Sequence, residues 1–226
     1  NQSMYTYELS PIATLIEKAV IERMMEIVGY GEGFGTLTTG GSNGNMLGML
    51  CARHYADPMS TLNGFDGTKY VAFVSEEAHY SVLMSANVIG IGHQNLIKVK
   101  CDSSGRMKPE SLIDEINRAV ANDRVPFCII ATSGTTVRGS FDPLRKIANI
   151  AHDNDIWLHV DAAWGGSCLF SRRHRYLMDG VELADSVCWD AHKMMGLPLI
   201  CSVFLTKNKA VLRSVCTHGD SAHYLF

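Results

Sequence analysis

Lys193 follows an apolar run inside Trp189-Asp190-Ala191-His192-Lys193-Met194-Met195-Gly196. A lysine held at the end of a strand has little freedom. Desolvation there favours the neutral amine, a nucleophile able to attack an aldehyde. The plainer reading is a surface lysine at a strand end, since most lysines are exposed. Asp161 ends Ile156-Trp157-Leu158-His159-Val160-Asp161, which puts an acid on the tip of a buried strand. A buried carboxylate is costly unless paired. A pyridinium N–H is one suitable partner, and a carboxylate there keeps such a ring protonated and electron-withdrawing. A cap or a salt bridge to an arginine is the other reading. A metal is not expected, because no second carboxylate or histidine pair stands beside Asp161 with ligand spacing.

Two further clusters have chemical potential. His79, in Ser75-Glu76-Glu77-Ala78-His79-Tyr80-Ser81, follows a strand and opens a helix. Its flat ring could stack on a planar cofactor, or simply be a polar loop residue. Thr38-Thr39-Gly40-Gly41-Ser42-Asn43-Gly44-Asn45 runs straight into a helix. Glycines let the backbone approach an anion, and free N–H groups at a helix start bind it. The segment has neither G-K-[ST] nor G-x-G-x-x-G, so it matches no nucleotide loop.

The elements that must position these residues alternate along the chain. Apolar residues at helical spacing predict a helix over 11–28, with Ser10 as its N-cap and Pro11 in its first turn. Glycines from Gly29 to Gly35 predict a loop, and a helix follows over 42–55. Strands are expected at 70–74, 96–99, 127–131, 156–160, 186–189 and 200–205, with helices at 80–89, 109–120 and 143–151. Short apolar strands alternating with helices imply an α/β protein whose sheet is mostly parallel and covered on both faces. Ligands of such sheets gather at the carboxyl ends of the strands. Thr132 to Thr136, Asp161 to Ala163 and Asp190 to Lys193 all fall there, so three polar clusters converge on one rim.

With 226 residues, 46% of them hydrophobic and 19% charged, the chain is long enough for a sizeable core. A formal net charge of −3 gives no reason to expect nucleic acid or an anionic membrane as partner. No apolar run is long enough to span a bilayer, and the first residues do not resemble a signal peptide. The seven cysteines stand singly, without a C-x-x-C pair, which suits buried reduced thiols and a cytoplasmic protein.

Taken together, these parts form a family pattern. Asp161-Ala162-Ala163-Trp164-Gly165-Gly166 followed by His192-Lys193 resembles the group II pyridoxal-phosphate-dependent decarboxylases. So do Asn1…Tyr5-Thr6-Tyr7-Glu8…Pro11, Gly40-Gly41-Ser42, Ser75-Glu76…His79 and Ala131-Thr132-Ser133-Gly134-Thr135-Thr136. Phe141-Asp142-Pro143-Leu144 and Tyr224-Leu225-Phe226 also fit. The resemblance covers essentially the whole chain and leans to the branch containing glutamate decarboxylase and cysteine sulfinate decarboxylase.

The resemblance implies an aspartate-aminotransferase-like, fold type I large domain over residues 1–226, binding pyridoxal 5′-phosphate. A preceding segment and a smaller C-terminal domain would lie outside this chain. It implies that Lys193 carries the cofactor covalently, that Asp161 pairs with the pyridine nitrogen, and that His79 stacks on the ring. Ala163 would press on the opposite ring face, and Thr132 would sit near the ring hydroxyl. Gly41, Ser42 and His192 would hold the phosphate, with Asn45 nearby. The implied reaction is α-decarboxylation of a small acidic amino acid (glutamate, aspartate or cysteine sulfinate) by a homodimer whose sites share residues across the interface. The alternative is a non-catalytic fragment or regulatory homologue that still binds the cofactor. One position departs from the pattern: Asp190-Ala191 stands where many members have Asn-Pro. An Asp repels a phosphate dianion, so Asp190 is expected to orient His192 or pair with a cation instead.

Overall fold

The protein is described by a computed structural model, which places residues 7–216. The motif residues Asn1 to Thr6 and Tyr224 to Phe226 lie outside the described residues. In chain order the elements are α1 (Pro11–Val28), β1 (Phe34–Thr38), α2 (Gly41–Ala56), α3 (Ser60–Asn63), β2 (Tyr70–Ser75), α4 (Ser81–Val88) and β3 (Leu96–Val99). They continue with α5 (Pro109–Ala121), β4 (Val125–Thr132), α6 (Leu144–Asp153), β5 (Trp157–Asp161), β6 (Ser186–Asp190), β7 (Ser202–Thr206) and α7 (Lys209–Cys216).

The strands form one seven-stranded sheet in the order β1-β7-β6-β5-β4-β2-β3. The pairs from β6 to β3 are parallel, and β7 runs antiparallel to both β6 and β1. Residues of β2, β5, β6 and β7 are buried throughout, as short apolar runs covered on both faces require. The period of two along β2 shows the two layers. Val71 and Phe73 join a core with α1, α5 and α6, while Tyr70, Ala72 and Val74 join a second core with α2, α4 and α7.

Three local expectations change. Pro11 does open α1, but the Ser10 side chain makes no capping bond. Its carbonyl instead accepts the Thr14 N–H at 3.2 Å and the Thr14 hydroxyl at 3.2 Å. β1 begins at Phe34, inside the glycine-rich stretch where a loop is expected, because β7 supplies its ladder from Phe34↔Thr206 to Thr38↔Ser202. Residues 200 and 201 precede β7, which starts only at Ser202.

The helix α2 lies directly on the sheet rim because two of its glycines have no side chain. A Cβ at Gly44 would sit 2.6 Å from the Cys188 Cβ, and one at Gly48 would sit 2.4 Å from the His159 Nδ1. Neither distance is possible for real atoms, so any side chain there would lift α2 off β5 and β6. This close approach carries Asn45 down onto the tip of β5.

Candidate active site

The parallel strands β2, β4, β5 and β6 all end on one rim, and α2 starts there. The rim encloses a cavity of about 170 Å³ lined by Gly41, Ser42, Asn45, His79, Thr132, Asp161, Ala163 and Lys193, with Trp164 and Asp190 among its other walls. Eight of the nine residues singled out in the sequence therefore meet in one place. The ladder explains the deep part: Thr132 of β4 pairs with Asp161 of β5, which pairs with Cys188 of β6.

Asp161 is a buried acid at the tip of β5, on the cavity wall. Its Oδ2 accepts an N–H from the Asn45 amide at 2.8 Å, and its Oδ1 accepts the Ala163 main-chain N–H at 3.1 Å. The Cys188 thiol lies 3.6 Å from Oδ1. Burial, and then the negative charge of Asp161, push that thiol well above its ordinary range, so it remains an S–H donor. The Asn45 and Ala163 N–H groups both donate to this carboxylate.

Asn45 lines the cavity as expected, but its amide bonds to the acid rather than at the α2 start. It sits one turn into α2, and its amide reaches the Asp161 carboxylate. Its second N–H goes to the Ser81 hydroxyl at 3.0 Å, and its carbonyl oxygen faces His159 Nε2 at 3.0 Å and Cys188 Sγ at 3.2 Å. Ser81 in turn holds His79: its hydroxyl is 2.9 Å and its N–H 3.2 Å from His79 Nδ1. Asn45 thus ties the wall that carries His79 to the acid at the bottom.

His192 is the one singled-out residue that does not line the cavity. Its Nδ1 lies against the Cys201 backbone, 2.9 Å from the carbonyl oxygen, and its Nε2 is 3.8 Å from Asp190 Oδ2. Asp190 takes the place next to the α2 start. Its Oδ2 accepts the Gly41 N–H at 3.2 Å and faces Lys193 Nζ at 3.2 Å, while its Oδ1 accepts the Ser202 hydroxyl at 2.6 Å. Of the two alternatives expected for Asp190, the contact with a cation is the close one, to Lys193, while the His192 ring lies 3.8 Å away and is held by the Cys201 backbone.

Sequence reasoning overlooked His159 and Ser81 as parts of the site. His159 is fully buried two residues before Asp161, so it shares the sheet face of Asp161, and that period of two was the available signal. Burial depresses its pKa to about 4 against the opposing pull of Asp161, so the ring is neutral at pH 7. Ser81 carries no such signal, because a serine at a helix start is ordinary.

The residues fit the cofactor that the family pattern implies. The Thr132 hydroxyl is buried in the cavity wall with no hydrogen-bond partner among the described residues, an orphan that a ring substituent would satisfy. The start of α2 has no cap from Gly40 and no acidic residue in its own first turn, which suits an anion, although the Gly41 N–H is already taken by Asp190 of β6. Asp161 offers a carboxylate to a ring N–H at the bottom, and Lys193 offers an amine at the rim.

Comparison with known proteins agrees. The whole chain, residues 1–226, matches the family model described as the pyridoxal-dependent decarboxylase conserved domain. It is 45% identical over 227 residues to the acidic amino acid decarboxylase GADL1 of Bos taurus and 44% identical to the cysteine sulfinic acid decarboxylase of Rattus norvegicus. Each alignment covers 100% of this chain, but 43% and 46% of those two proteins. The chain therefore spans less than half the length of these relatives. The crystal structure of mouse CSAD superposes with a TM-score of 0.94 at 42% identity, covering 98% of this chain and 46% of that one. The fold is accordingly that of fold type I pyridoxal-phosphate enzymes. The chain belongs to the pyridoxal-dependent decarboxylase family, and its cofactor is pyridoxal 5′-phosphate.

Proposed function

We propose that this chain forms the cofactor-binding part of an α-decarboxylase acting on a small acidic amino acid: glutamate, aspartate or cysteine sulfinate. The observation that carries the reading is the placement of Asp161, Thr132 and Lys193 around one cavity, with α2 starting on the same rim. The similarity to an acidic amino acid decarboxylase and to a cysteine sulfinic acid decarboxylase supports the substrate class.

Bound there, pyridoxal phosphate supplies an electron sink for the pair released when the substrate's carboxylate leaves as carbon dioxide. Asp161 would accept a hydrogen bond from the ring N–H and keep that proton in place. Lys193 Nζ would be the amine that attaches the cofactor, and Asp190 is the carboxylate beside it. His79 and Ala163 would flank the ring, and the start of α2 would hold the phosphate. Fixing all of these beforehand is the protein's share of the work, through orientation and charge.

The remaining features belong to the same proposal. All seven cysteines are unpaired, which supports a reducing, cytoplasmic setting. A homodimer with residues shared between sites follows from the family resemblance. A second reading, a cofactor-binding homologue without turnover, draws on one observation. Among the described residues that line the cavity, Lys193 is the only lysine or arginine, so none there is free for a substrate's side-chain acid.

One assay separates the two. Carbon dioxide release from glutamate, aspartate and cysteine sulfinate is measured for this chain and for a longer natural protein that contains it, each loaded with cofactor. Release by the longer protein supports decarboxylation. Cofactor binding with no release from any of the three supports the second reading.

A further inference from the structure

Beneath the cavity floor, a line of buried polar groups reaches from Trp157 at the start of β5, through Ser186 of β6, to Asp161, and one arrangement of hydrogens satisfies every group in it. It starts at Trp157, whose indole N–H can only donate and lies 2.9 Å from the Ser186 hydroxyl. Ser186 accepts that hydrogen and can give its own to His159 Nδ1, 2.8 Å away. His159 then carries its single ring proton on Nε2, which faces the Asn45 carbonyl oxygen at 3.0 Å. The Asn45 NH₂ must therefore point the other way, with one hydrogen to Asp161 Oδ2 and one to Ser81 Oγ. The Cys188 thiol lies 3.2 Å from the same Asn45 oxygen and 3.6 Å from Asp161 Oδ1, so its one hydrogen has an acceptor in this arrangement either way.

We propose that His159 is a positioning residue of the cofactor site, fixing the Asn45 amide so that it presents one N–H to Asp161 and the other to the serine behind His79. Turned over, the same amide would aim its carbonyl oxygen at the Asp161 carboxylate, setting acceptor against acceptor and leaving a buried acid without its strongest donor. Gly48 packs directly on the His159 ring, where a Cβ would lie 2.4 Å from Nδ1, so the ring plane is held and the hydrogen bonds at its two nitrogens set which way it faces. One neutral imidazole thus governs two groups that touch the cofactor, the acid under the ring nitrogen and the histidine on the wall. In a buried network, each bond polarises the next and a half-satisfied chain is the costly state.

The part of this proposal that concerns the cofactor rests on the proposed function; the hydrogen arrangement does not. The test therefore begins on the cofactor-free full chain, with ¹⁵N NMR of the imidazole nitrogens at pH 7. The expected result is His159 neutral with its proton on Nε2. A proton on Nδ1, or a charged ring at pH 7, overturns the proposal whatever the cofactor does. His159→Gln, whose amide N–H replaces the Nε2 donor, is then compared with His159→Phe, which has none. The measurements are the equilibrium affinity for pyridoxal phosphate and the pH dependence of the bound cofactor's absorbance. His159→Gln should stay within about threefold of wild-type affinity with an unmoved pH profile, while His159→Phe loses about tenfold and shifts the profile. A folded His159→Phe protein with wild-type affinity and profile overturns the proposal. If His159→Phe fails to fold, the tautomer and the His159→Gln profile decide it: a shifted profile in His159→Gln counts against the assignment.

Discussion

Asp161 and Lys193 face the same cavity under opposite conditions. Asp161 is 5% exposed, held by bonds from Asn45 and Ala163, and backed by the chain that runs through His159 and Ser186 to Trp157. Lys193 has a side chain 40% exposed, rests on one carboxylate, and is followed by the half-exposed Met194 and Met195. The difference matches the work each end must do. The acid has to hold one geometry and one charge, so it sits where side chains cannot move. The lysine, expected from the sequence to be held and desolvated, instead sits where its long stem can swing and solvent can reach it, which suits the covalent link proposed for it.

Breaking the fixed end should have the largest effect. Asp161→Asn removes the charge opposite a ring N–H and should lower turnover of the cofactor-loaded, active protein by about two decades or more, equivalent to roughly 3 kcal/mol. Cofactor affinity should fall far less, because the phosphate grip at α2 is untouched. Near-normal turnover in that variant would mean that the carboxylate does not face the ring nitrogen.

The second effect is on stability as a function of pH. His159 titrates near 4 when folded and near its ordinary 6.5 when unfolded. Between those values the unfolded chain binds a proton that the folded chain does not, so stability rises with pH across this window. The contribution is complete above pH 6.5 and is lost as pH falls to about 4, on the order of 3 kcal/mol. Asp142, pushed up to about 6 by burial against the bonds from the Met107 and Thr132 N–H groups, has the opposite slope over the acid part of the window. The clean measurement is therefore a difference: denaturant unfolding of wild type and His159→Gln from pH 4 to 7. The gap between them should change in favour of His159→Gln as pH falls, and a constant gap would contradict a neutral buried ring.

Gly48→Ala sharpens the comparison through packing alone. The added methyl meets His159 at a distance that forces α2 away from β5, at a cost of about 2 kcal/mol. Thermal melting should show this loss, with cofactor affinity reduced as Asn45 is carried off Asp161. The smallest effect belongs to the adjustable end. Asp190→Asn keeps an acceptor for the Gly41 N–H and for Lys193, so cofactor affinity should stay within about tenfold of wild type, 1.4 kcal/mol or less. A complete loss of binding in a titration would show that the carboxylate itself is indispensable.

The same contrast governs what could be read from the sequence. Strands buried on both faces announced themselves as apolar runs, and Asp161 and Lys193 stood out because charge at the end of such a run is unusual. β1 was hidden, because an edge strand with two of its larger side chains exposed and glycines beside it carries no apolar run; its pairing to β7 makes it a strand. Asn45 lines the cavity as expected, but its bond to Asp161 is not legible in the sequence, which places it near Gly41, while the close approach of α2 turns its amide onto β5. His192 was expected on the phosphate from its position next to Lys193, yet neighbouring residues point differently, and its ring turns to the Cys201 backbone. Spacing along an element shows which residues share a face. It does not show which two elements touch.

The central claim is that Lys193 is the residue that attaches pyridoxal phosphate in a cavity whose floor is Asp161. The most direct measurement is borohydride reduction of the cofactor-loaded chain, followed by proteolysis and mass mapping of the labelled peptide. The account predicts a single pyridoxyl-phosphate mass on Lys193 and none in Lys193→Ala. Label on another lysine, or a reducible adduct that persists in Lys193→Ala, would contradict it.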